Sequence, residues 1–243
     1  MNETDTIQYA KIREYDFKEY FQKFQYNGKV ISDDERRETI KDLDELIAQY
    51  SEGFPLIKEG LDNYKDKEND FLKAYRTALS VYLFVLITSI DCLVICKYFL
   101  LADKDYDKRF MRGKMKIILN EGFKKLYGFE DRTTKKSEWN KLHDIIENCP
   151  ELIKRQYKEL SERLEEHSKF SSWWKDERDL ETHLDAEGLY VSRYIEIIES
   201  KVMMDATKLF ATLYAIQLFM TNVHACFHNT MLKSCQNETT STP

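Results

Sequence analysis

Between Leu79 and Leu101 the chain runs 23 residues with only two charges, Asp91 and Lys97. An apolar segment that long has two destinations: a bilayer, or the centre of a helical bundle. Asp91 falls near its middle, where a charge in hydrocarbon is expensive. Tyr82, Thr88, Ser89 and Tyr98 interrupt the run, and both flanks continue into charged amphipathic sequence. The segment therefore reads as a bundle's central helix, with no membrane partner, in a cytoplasmic protein.

The rest of the chain is consistent with that frame. Seven glycines and three prolines in 243 residues are too few breakers for a turn-rich β-fold, and helix formers dominate. The expected class is all-α. Residues 4–26 repeat Ile12, Tyr15, Phe17, Tyr20, Phe21 and Phe24 at helical spacing. Ser32-Asp33-Asp34-Glu35 is a capping box, predicting a helix over about 33–50 that Gly53-Phe54-Pro55 breaks. A short helix and the long apolar one follow within 56–102. A further helix over 105–127 closes at Gly128, with Phe110, Met111, Met115, Ile118, Leu119 and Leu126 as its apolar side. Helices over 137–147 and 150–168 come next, the second with Pro150 in its first turn. The last spans about 203–231, with Leu209, Phe210, Leu213, Ile216, Phe219, Met220 and Val223 inward.

Charge is uneven. Residues 104–136 hold 11 Lys/Arg against 5 Asp/Glu, although the whole chain is at −6. Such a segment is either a solvated face or a surface for phosphates, with Arg109 and Arg112 as candidate contacts. The acidic total excludes a general nucleic-acid coat. Five cysteines without framework spacing predict reduced thiols, and Cys92 and Cys96, one turn apart, read as core packing. His224 and His228 stand at i and i+4, a spacing that grips zinc, but nothing local completes the set. No metal and no cofactor are expected. Gly-rich phosphate loops and nucleophile elbows do not occur.

Local chemistry concentrates in Ser171–Asp185, which holds Trp173, Trp174, Lys175, Arg178, Asp179 and His183. A histidine near neutral pKa moves protons to and from a 2′-hydroxyl and a leaving oxygen. An arginine offers a charged fork to phosphate. Asp179 can orient either, and Lys175 could meet a phosphate, while Trp173 and Trp174 either anchor this segment on the bundle or stack on bases. On one ideal helix Arg178 and His183 sit about 140° apart in projection, so one copy makes a poor cleft and two copies about a two-fold axis make a better one.

Arg178-Asp179-Leu180-Glu181-Thr182-His183 resembles the R-x4–6-H signature of the HEPN superfamily of all-helical domains. Asp179 matches the polar residue that follows the arginine there, and Asp91 resembles the polar residue of the family's first helix. The resemblance covers roughly 70–233. It implies a HEPN-type bundle with extra N-terminal helices: 1–69 as an extension, 70–233 as the bundle with an insertion near 129–168, and 234–243 as a loose tail. It further implies a homodimeric, metal-independent endoribonuclease of toxin or defence type, acting on RNA and leaving a 2′,3′-cyclic phosphate. Arg178 and His183 would be the catalytic pair and Asp179 the supporting acid, with a nucleotidyltransferase-type antitoxin as a possible partner. The alternative is a non-catalytic helical binding module.

Overall fold

The computed structural model describes residues 32–128, 135–170 and 202–240. Among these the protein is all-α, a helical bundle without strands. Six helices are present: α1 Asp33–Tyr64, α2 Asp70–Leu101, α3 Asp105–Leu126, the short α4 His143–Ile146, α5 Glu151–Phe170 and α6 Val202–Thr240. A 3-10 turn, Asn140–Leu142, leads into α4.

The helix starts follow the sequence closely. The Ser32 side chain accepts from the Glu35 amide, and the Glu35 carboxylate accepts from the Ser32 amide at 3.0 Å. Asn69 caps α2 by accepting from the Phe71 and Leu72 amides. At the end of α3, Gly128 takes φ 93°, a conformation that suits a residue without Cβ, and its amide donates to the Phe123 carbonyl.

The expected break at Gly53-Phe54-Pro55 does not occur. α1 runs straight through Pro55, fusing the predicted 33–50 helix with the short one after it. Proline forfeits one backbone bond and crowds the preceding turn. Tertiary packing offsets that loss, because α1 lies along the whole of α2. Lys97 meets Asp44 at 2.5 Å, Arg36 meets Asp103 at 2.9 Å, and Ile57 is buried between them and the far end. Gly53 and Gly60 face Leu86 and Leu79, which lets the two helices approach.

α2 is the central element. Val81, Val85, Leu86, Cys92, Leu93 and Cys96 are buried on its inner side. α2 and the 205–231 part of α6 are each long and apolar enough to cross a membrane by length and composition. Here α2 packs on α1, α3 and α6. Asp91 faces outward, not into the core, which removes the penalty that its central position implied; partial burial still raises its carboxyl pKa.

α6 buries the inward residues its periodicity predicts, from Leu209 to Val223. It continues as helix to Thr240, well into the stretch expected to be a loose tail. The 137–147 helix is shorter than expected, split between the 3-10 turn and α4. Trp139, Leu142 and Ile146 are nonetheless buried. Trp139 stacks on Tyr157 at 4.8 Å between ring centroids and donates from Nε1 to Ser161 Oγ at 2.9 Å. The expected helix over 4–26 lies outside the described residues.

Candidate functional site

The residues expected to carry catalysis, Arg178, Asp179 and His183, lie outside the described residues, as do Trp174 and Lys175. The structure does define the frame on either side of them. α5 and α6 are antiparallel: Gln156 receives a hydrogen bond from Asn222, Tyr157 packs on Phe219, and His167 Nε2 meets Thr212 Oγ1 at 2.8 Å. The end of α5 at Phe170 and the start of α6 at Val202 therefore share one end of the bundle.

α2 and α6 are also antiparallel. Tyr75 pairs with His224, and Gln217 Nε2 donates to Ser89 Oγ at 2.8 Å. α3 returns along α2 after the short connection at 102–104, so it runs parallel to α6. Its N-terminal half accordingly lies toward the end from which 171–201 departs and to which it returns.

α3 holds an unusual inner face that runs from its N-terminal half into its C-terminal half. Arg109 is 6% exposed, Lys116 0% and Asn120 1%. With Gly113 they stand at i, i+4, i+7 and i+11, one face of a helix. Burying cations is expensive unless they are engaged, and both Arg109 and Lys116 have interaction partners. Arg112 is half-buried, its guanidinium 5.2 Å from the centre of the Phe99 ring. The spacing of these residues was visible in the sequence. Only their polarity argued for placing that face outward.

The expected basic surface of 104–136 is thus divided. Arg109 and Lys116 are interior, so Arg109 is not part of a solvent-facing phosphate surface. Phe110, expected on the apolar side, is instead 54% exposed. The helix is rotated relative to that expectation because the inner positions go to Gly113, Met115, Leu119 and Phe123 along with the polar residues. What faces out is a mixed basic and aromatic strip. Lys104 lies 5.6 Å from the Tyr106 ring, Lys114 5.0 Å from Phe110, and Lys125 5.1 Å from Phe84 of α2. Such pairs hold aromatic rings at the surface beneath charge.

His167 of α5 is a half-buried residue near this end. Burial, helped by the positive charge of Lys208, lowers its pKa, so the ring is neutral at pH 7. Its edge packs toward Phe123.

At the opposite end of α6, His224 and His228 lie one turn apart with ring centroids 6.4 Å apart. Nδ1 of His224 is taken by the Tyr75 hydroxyl, and among the described residues no three potential ligands gather to hold a metal. Cys92 and Cys96 are buried in the core, and burial pushes both thiols up, Cys96 to about 12.

The fold defines the class as an all-α helical bundle. No family model matches the chain, and neither a curated protein nor a solved structure is significantly similar to it.

Proposed function

We propose that the chain is a HEPN-type RNA endonuclease working as a homodimer. The observation that carries this reading is the hexapeptide Arg178–His183, with Asp179 after the arginine, set between two long helices that pack antiparallel. In this reading His183 moves the proton between the 2′-hydroxyl and the leaving 5′-oxygen, and Arg178 neutralises the phosphate. Asp179 orients them. Two copies bring two such pairs to one groove, which answers the poor alignment of a single pair along one helix.

The basic and aromatic outer strip of α3 supports RNA as the substrate, since lysines can follow a backbone while Tyr106 and Phe110 offer faces for bases. Lys175 and Trp174 would extend such contacts from the motif segment. A nucleotidyltransferase-type antitoxin would be the neutralising partner, and the protein would act in the cytoplasm. The same strip favours the second reading, a non-catalytic helical module that binds without cleaving.

The test is incubation of the purified full chain with a mixed RNA in the presence of EDTA, with end-group analysis of the products. Cleavage ending in 2′,3′-cyclic phosphate, lost in His183→Ala and Arg178→Ala, supports the nuclease. RNA binding without cleavage supports the module.

A further inference from the structure

A cavity of about 460 Å3 opens between the start of α2, the short α4 region and the C-terminal part of α6. Phe71, Ile145 and Phe227 give it mainly apolar walls, and Asp144 stands at its edge. Two cysteines line it from distant parts of the chain: Cys149, just after α4, and Cys226 of α6. Both are free thiols and neither is fully buried. Cys92 and Cys96 are sealed in the core, where oxidants do not reach them.

The two thiols interact. The Cys149 thiol lies beside Cys226 and also 3.5 Å from the Ile145 carbonyl, the acceptor one turn back. The interaction between them lowers the Cys226 pKa against the opposing effect of burial, and raises that of Cys149. Cys226 is then the more acidic of the two thiols, and it stands at the wall of an apolar hollow wide enough for a small molecule.

We propose that Cys226 and Cys149 form an oxidant-responsive thiol pair that consumes hydroperoxides, with Cys226 attacking and Cys149 resolving. In the first step the Cys226 thiolate attacks the outer peroxide oxygen. An S–O bond forms and the O–O bond breaks. The departing alkoxide or hydroxide takes a proton and leaves as alcohol or water, and Cys226 becomes a sulfenic acid. In the second step the Cys149 sulfur attacks the Cys226 sulfur. The S–S bond forms, the S–O bond breaks, and the hydroxide leaves as water with the proton from Cys149. The two sulfurs lose two electrons in all, and the peroxide gains them. The bridge would tie the α4 turn to α6, closing a loop that includes α5 and the Arg178–His183 segment. The chemistry is independent of the nuclease reading.

The experiment treats the reduced full chain with about one equivalent of hydrogen peroxide and maps its peptides without reduction. The expected product is a Cys149–Cys226 bridge with Cys92 and Cys96 still reduced. In Cys149→Ser, a dimedone-type probe should trap the sulfenic acid on Cys226. In Cys226→Ser, oxidation of Cys149 should slow by about tenfold or more. On the wild-type protein, alkylation of Cys226 by iodoacetamide should reach half its maximal rate near pH 7. The thermal midpoint should rise on oxidation, return with reductant, and stay fixed in Cys149→Ser. Bridges through other cysteines, undiminished oxidation in Cys226→Ser, or alkylation that titrates at the usual thiol value of about 8.5 would overturn the proposal.

Discussion

The Tyr75 hydroxyl meets His224 Nδ1 at 2.8 Å, joining α2 to α6 across 149 positions of sequence. The rings also stack, with centroids 5.6 Å apart. Burial pushes the Tyr75 hydroxyl up to about 12, so it keeps its proton and donates to a neutral imidazole. On the histidine, burial first and then the neighbouring His228 lower the pKa.

The same direction holds for His167. Both imidazoles bind protons less readily folded than unfolded, so the unfolded chain takes up more protons as the solution is acidified. Their contribution to stability is complete above the ordinary histidine value of about 6.5 and is lost as pH falls through it toward the lower folded values. Urea titrations from pH 7.5 to pH 5 should show declining stability. The decline should be shallower in a His167→Gln, His224→Gln double variant. An equal decline in that variant would place the acid sensitivity elsewhere.

Trp139 anchors the α4 region. It is fully buried, stacked on Tyr157, and its indole donates to Ser161. Trp139→Ala should cost about 3–5 kcal/mol, as expected for an emptied aromatic site. Trp139→Phe should cost less, since part of the stacking survives while the bond to Ser161 is lost. Denaturant midpoints at constant slope would measure both.

Gly53 and Gly60 make opposite predictions within one helix. A Cβ at Gly60 would stand 2.8 Å from Leu79 Cδ1, whereas one at Gly53 would be 3.5 Å from Leu86 Cδ1. Gly60→Ala must displace a buried leucine and should destabilise by about 1–3 kcal/mol. Gly53→Ala meets ordinary contact and should stabilise by about 0.5–1 kcal/mol through helix propensity. Thermal melts of the two variants should move in opposite directions.

For the proposed nuclease, His183→Ala should lower the rate of RNA cleavage by about 10²–10⁴-fold, the range for a positioned general acid or base. Arg178→Lys should keep charge yet lose the fork to phosphate, and so remain impaired. Both should keep the thermal midpoint of the wild type. Wild-type cleavage in His183→Ala would remove the enzyme assignment.

Sequence alone determined the all-α class and, among the described residues, several helix ends and most of the buried stripes. Capping chemistry at Ser32 and the positive-φ glycine at 128 act within a few residues, and the stripe from Leu209 to Val223 is a local repeat; all three were legible without coordinates. The motif Arg178–His183 lies outside the described residues, so its chemistry rests on the sequence alone.

Tertiary structure decided what depends on a neighbour. Pro55 stays inside α1 because α2 supplies packing that a single helix lacks. Asp91 faces outward and Phe110 stands exposed, while Arg109, Lys116 and Asn120 turn inward. Helical periodicity identifies which residues share a face. It does not say whether that face meets water or protein when the face carries both polar and apolar side chains, because the cost of burying a cation depends on what stands opposite it. Cys149 and Cys226 meet for the same reason: only the bundle's topology places two distant turns of chain on one cavity wall.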